Sequence, residues 1–192
     1  MSDAGAMTTA GMSADQVRAE NAGLDAALLA EAGAFDAGRL AAAPDGEWSA
    51  AQVLAHLGEF PHFFAEEVRR WIEDSSSPIG RTMDHPIRLA AVEAPHLSGA
   101  HALGGAPPPG EPPVAPLHED PVENLRRSLI EGMQAAFTEL AGELERLTDG
   151  DIDAKTENRR YGPEPLSAFL DRYVVGHKAA HLEQLRALAA ES

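Results

Sequence analysis

The sequence predicts an all-α protein: a four-helix bundle with a long irregular insert between its second and third helices. Three observations predict this. Four stretches carry apolar residues at helical spacing. Three of the four open on residues suited to starting a helix. Signals for strands, runs of alternating β-branched or aromatic residues bounded by turns, are nearly absent.

The first helix begins at Ser13, where Ser13 and Gln16 have the spacing of a capping box. Leu24, Leu28, Phe35 and Arg39 follow at helical intervals, and Gly33 marks a point where the helix can break. Pro44 and Gly46 end it. The second helix opens on a second capping box, Ser49 with Gln52, and Trp48 and Val53 stand where a hydrophobic staple would. Its stripe runs Val53, Leu57, Phe60, Phe64, Val68, Trp71. Pro61 inside it removes one backbone bond and predicts a kink. Residues 75–119 lose helical periodicity, and the prolines at 107–109 and 112–113 exclude regular structure there. The third helix starts at Asp120 with Pro121 and Glu123 behind it. Its stripe extends from Leu125 to Leu147. A link holding Arg159, Arg160 and Tyr161 leads to the fourth helix, which starts near Pro165 and carries Leu166, Phe169, Leu170, Tyr173, Val174, His177, His181, Leu185 and Leu188 on one broad face.

These elements make one domain over residues 13–190, after a small polar tail at 1–12 read as disordered. A chain of 192 residues buries a core without staples. Acidic residues number 31 against 15 Lys and Arg, a net charge of −16. That excludes nucleic acid as a partner, which needs clustered cations, and adsorption to an anionic membrane. No segment is long and apolar enough to span a bilayer, and the N-terminus lacks the form of a secretory signal, so the expected compartment is the cytoplasm. Cysteine is absent. Disulfides, cysteine nucleophiles and thiolate metal sites are thereby excluded, and any thiol chemistry needs a thiol from outside.

The chemistry concentrates in three of the eight histidines. His177 and His181 are four residues apart, which stacks two imidazoles on one helix face with Cβ atoms about 5–6 Å apart. Both lie on the apolar stripe, as does His56 on the second helix. Three neutral imidazoles from facing helices are a suitable ligand set for zinc, nickel, iron or another divalent metal, with a position left for water or substrate. The competing explanation is a set of hydrogen-bonded core histidines. The outer spacing of His177 and His181 is that of a metalloprotease helix, but Lys178 stands where such an enzyme needs a glutamate base, which argues against peptidase activity. Glu59, three residues after His56, is the candidate fourth ligand or general base. Tyr173 precedes His177 by one turn. His62 faces away from His56, and His85, His96, His101 and His118 lie in the insert. Arg159 and Arg160 form a local basic pair suited to a carboxylate.

The segment Trp48-Ser49-Ala50-Ala51-Gln52-Val53-Leu54-Ala55-His56-Leu57 resembles one signature of the DinB/YfiT-like superfamily, in which a Trp-Ser pair opens helix two and a histidine follows on its inner face. Gly176-His177-Lys178-Ala179-Ala180-His181-Leu182-Glu183-Gln184-Leu185 resembles the second, a His-x-x-x-His on the last helix followed by a glutamine. The resemblance implies a four-helix bundle with a three-histidine metal centre, here His56, His177 and His181, and pairing as a homodimer. It implies a thiol-dependent transferase or isomerase using mycothiol or bacillithiol, or a metal-dependent hydrolase, acting on a small-molecule substrate. The alternative from another class is a non-catalytic metal-binding or ligand-binding bundle linked to stress.

Overall fold

The computed structural model describes residues 12–40, 42, 48–80 and 121–190. Helix α1 spans Ala14–Ala34 and α2 Ala37–Leu40. Helix α3 spans Ala50–Glu73 and α4 Pro121–Leu144. The single turn α5 (Asp149–Ile152) leads into strands β1 (Lys155–Asn158) and β2 (Gly162–Pro165). The last helical run has three parts: α6 (Leu166–Leu170), a π-helical turn (Asp171–Val175) and α7 (Gly176–Ala190). No helix among the described residues is long and apolar enough to cross a membrane.

The predicted starts are where the cap residues put them. The Ser13 hydroxyl accepts from the Gln16 N–H at 3.2 Å, and the Gln16 side chain accepts from the Ser13 N–H at 2.8 Å. Ser49 and Gln52 repeat the exchange at 3.3 and 2.8 Å. Each pair satisfies two donors that a helix start otherwise orphans. At the far end of α4, Arg18 from α1 donates to the carbonyls of Leu144 and Leu147 at 3.2 and 3.0 Å, meeting the complementary need of a C-terminus.

The four long elements pack in a ring. α3 makes its most extensive contact with α4, α4 also touches α1, α1 touches α7, and α7 touches α3. Gly58 and Gly132 bring α3 and α4 close: a Cβ added at Gly58 would stand 3.6 Å from the Gly132 backbone. The apolar core falls into two clusters. One joins Ala14 and Val17 of α1 to Phe64, Val68 and Trp71 of α3, Leu140 and Leu144 of α4, and Leu166 to Val174 of the last run. The other joins Leu28 and Ala32 of α1 to Val53, Leu54 and Leu57 of α3, Met133 and Phe137 of α4, and Leu182, Leu185 and Leu188 of α7. The N-terminal halves of α1 and the last run thus share a cluster with the C-terminal halves of α3 and α4. α3 and α4 are therefore parallel neighbours. Each has 24 residues, about 36 Å of helix, so Glu73 and Pro121 stand at opposite ends of the bundle. The predicted insert at 75–119 lies, beyond Gly80, outside the described residues, as does nearly all of the tail at 1–12.

The first helix breaks at Ala34, next to Gly33, and resumes as the short α2. Its expected end at Pro44 and Gly46 lies outside the described residues. Two further features go beyond the sequence reading. The link before the fourth helix carries strands where the sequence offers almost no strand signal. It forms an antiparallel hairpin in which Lys155 pairs with Pro165 and Asn158 with Gly162. Ile79, wholly buried, adds a bridge: its N–H donates to Glu157 at 2.9 Å and its carbonyl accepts from Arg159 at 3.0 Å. Strands of four residues, one of them Gly-Pro-Glu-Pro, are too short and too rich in proline to show alternation. Finally, the fourth helix is not uniform, because the π-helical turn inserts an extra residue before His177.

Candidate metal centre

The boundary between the two apolar clusters is polar. On α1 it falls at Asn21 and Asp25, and on the last helix at His177, Lys178 and His181, with His56 reaching in from α3. His56 sits between Val53 and Phe60 on the inner face of α3 and is 3 % exposed. His177 and His181 lie on successive turns of α7 and are only half-buried. Across the helices the ring centroids of His56 stand 5.0 Å from His177 and 4.8 Å from His181, and those of His177 and His181 are 4.5 Å apart.

The ring nitrogens converge more closely. Nε2 of His56 and Nε2 of His177 are 2.9 Å apart, and one ligand atom from each of the three residues lies within 4.8 Å of the others. Nδ1 of His181 donates to the Gln184 side-chain oxygen at 2.9 Å, which leaves Nε2 to carry the lone pair. Nδ1 of His56 is buried without a partner. Among the described residues no carboxylate joins this set.

Aromatic rings wall the cluster. Trp48 lies parallel to His181 at 6.2 Å and edge-on to His56 at 5.2 Å. Phe60 is 4.4 Å from His56 and 4.6 Å from His177, and Phe64 meets His177 edge-on at 5.9 Å. Burial among these rings disfavours the imidazolium, and neighbouring histidines add to the effect on His56 and His177. His56 is pushed down to about 4, first by burial and then by the His181 charge. His177 is pushed down to about 3 by burial, then by His181, His56 and Lys178. Burial also lowers His181, against the bond to Gln184. At neutral pH all three are therefore neutral imidazoles, the form that ligates a metal.

These residues fit a divalent ion. Two nitrogens on one tetrahedral zinc, each about 2.0–2.1 Å away, stand roughly 3.3 Å apart. The observed separations bracket that value. Two histidine Nε2 atoms aimed at each other are an arrangement that a cation between the rings would relieve.

The other candidates lie elsewhere. Glu59, one turn beyond His56, is exposed and outside the converging set. His62 is exposed and pairs with Glu139 of α4. Tyr173 is half-buried against Phe64 and Phe169. Arg159 and Arg160 stand exposed at the tip of the hairpin, where Arg160 lies over the Tyr161 ring. His85, His96, His101 and His118 lie outside the described residues. Sequence reasoning passed over the polar partners on α1. The signal was present: Asn21 interrupts the apolar series Val17, Leu24, Leu28, at a position where a polar side chain needs a buried partner.

The family model of the DinB superfamily matches residues 9–185, a span that takes in all three histidines, the whole of α1, α3 and α4 and most of α7. Neither the curated proteins nor the solved structures yield a match. A match over nearly the whole chain, on a helical bundle with this histidine cluster at its middle, is enough to place it: the chain belongs to the DinB superfamily.

Proposed function

We propose that this protein is a metal-dependent transferase or hydrolase in which His56, His177 and His181 hold one divalent ion. The observation that carries the proposal is the convergence of three neutral imidazoles, one fully buried and two half-buried. A site meant only to hold a metal closes around it, whereas a catalytic one keeps a side open. The half-exposure of His177 and His181 supplies that open side and favours catalysis over a purely binding role.

A bound divalent ion would supply Lewis acidity, lowering the pKa of a coordinated thiol or water toward neutrality. The chain's own residues do the rest. Gln184 fixes the tautomer of His181. Trp48, Phe60 and Phe64 keep water from the inner side of the rings and hold them in place. The chain has no cysteine, so a thiol nucleophile is a small-molecule cosubstrate of the mycothiol or bacillithiol kind.

The test is consumption of a small thiol, cysteine or dithiothreitol, in the presence of a bimane electrophile, with ester hydrolysis measured in parallel. Protein loaded with zinc, nickel or ferrous iron is expected to accelerate one of the two reactions, and His177→Ala to abolish that acceleration. A protein that binds metal stoichiometrically yet accelerates neither reaction would instead be a non-catalytic metal-binding bundle.

A further inference from the structure

We propose that Lys178 is a positioning residue for the three-histidine centre: its buried contacts with Asp25 and Asn21 of α1 set the rotation of α7 and so aim His177 and His181 at His56. The inference rests on the metal-binding role proposed above and concerns what makes that site accurate.

Lys178 is 1 % exposed and among the largest fully buried side chains of the described residues. Lysine is almost never buried without a partner. Here the Nζ donates to the Asn21 side-chain oxygen at 2.7 Å and forms an ion pair with Asp25. Asn21 in turn donates to the other Asp25 oxygen at 2.9 Å, which closes a triangle. The ammonium also lies 4.4 Å from the centre of the Phe137 ring on α4. Three groups on two other helices therefore fix the end of this side chain.

Apolar packing alone holds the rotation of α7 loosely. Its buried residues are Lys178, Leu182, Leu185 and Leu188, and much of the remainder is alanine. A helix with so weak an apolar stripe can turn about its axis at little loss of burial. An ion pair is directional and cannot follow such a turn. Buried polar contacts of this kind specify register more than they stabilise.

His177 and Lys178 are consecutive, about 100° apart around the helix. Holding Lys178 toward α1 therefore holds His177 and His181 toward α3. The accuracy matters: a rotation of only 10° moves an atom about 5–6 Å from the axis by about 1 Å. Ligand distances in a metal site tolerate about 0.2 Å.

The experiment uses the full chain and two readouts. Zinc affinity is measured by competition with a chromophoric chelator. Proximity of the Trp48 indole to the His181 ring is measured in the metal-free protein by nuclear Overhauser contacts. The variants are Lys178→Met and the pair Asp25→Asn with Lys178→Met, which removes both charges and keeps a hydrogen bond to Asn21. The single variant leaves Asp25 unpaired and is the one at risk of not folding. The double variant is expected to fold, to bind zinc at least 10-fold more weakly, and to lose the Trp48–His181 contact. A folded double variant that keeps wild-type zinc affinity and the wild-type contact overturns the proposal. A wild-type chain that binds no zinc overturns the metal role itself, and the contact measurement then still decides whether Lys178 sets the rotation.

Discussion

Stripped of metal, the protein is expected to lose about 2–4 kcal/mol of stability between pH 7 and pH 5. In the unfolded chain a histidine titrates near 6.5. In the fold, burial pushes His56 down to about 4 and His177 to about 3. The unfolded state therefore binds protons that the folded state refuses, and stability falls as the pH drops below about 6.5. It is fully present above that value and levels off only once the folded histidines themselves protonate, near pH 4 and pH 3. At pH 5 each group contributes a loss of about 2 kcal/mol, and partial solvent access discounts the sum. Carboxylates also bear on this range: Glu139 is held down by Arg69 and His62, whereas burial raises Asp25 despite its pairing with Lys178. The histidine share is therefore read from the difference between the wild type and a histidine variant. Urea unfolding at pH 7.5, 6 and 5 measures the effect, and His56→Gln with His177→Gln is expected to flatten it. An unchanged slope in that variant would mean the histidines are not held neutral by the fold.

Gly176→Ala is expected to weaken metal binding about 10- to 100-fold and to destabilise the fold by about 1–3 kcal/mol. The N–H of Gly176 donates to the Asp171 carbonyl, the bond that closes the π-helical turn. A Cβ at this position would stand 2.8 Å from that same carbonyl oxygen. Neither the oxygen nor the Cβ has a flexible chain to swing aside, so the turn itself must give. Closing it to α geometry drops one residue from the register and rotates α7 by about 100°. His177 is the next residue and moves with it. Gly142→Ala on α4 is the control, because nothing lies within 4 Å of its added Cβ. That variant is expected to gain about 0.5–1 kcal/mol as helical alanine replaces glycine. Gly176→Ala behaving like Gly142→Ala, in both stability and zinc affinity, would contradict a strict need for glycine in the turn.

What the sequence disclosed, and what it hid, follows from the range of the interactions. Cap residues act over three positions, so Ser13, Gln16, Ser49 and Gln52 declared both helix starts directly. The i, i+4 spacing of His177 and His181 is equally local, and it suffices to put both rings on one face. Convergence with His56 is not local, but a shared apolar stripe implied it. The hairpin stayed hidden because its strands are four residues long and draw stability from Ile79, more than 70 positions earlier. The π-helical turn stayed hidden because it has no periodicity of its own, and Gly176 read only as part of a signature. Lys178 was legible as a misfit, a lysine between two inward histidines. Its partners on α1 lie more than 150 positions away, and only the fold joins them.

The most direct test of the account is elemental analysis of the purified, untagged protein after zinc reconstitution, compared with His177→Ala and His62→Ala. His177 belongs to the converging set, while His62 pairs with Glu139 on the outside of α3. The account predicts close to one metal per chain in the wild type and in His62→Ala, and almost none in His177→Ala. Equal metal content in the two variants, or none in the wild type after reconstitution with zinc, nickel and iron, would show that the three histidines are core residues and not a metal centre.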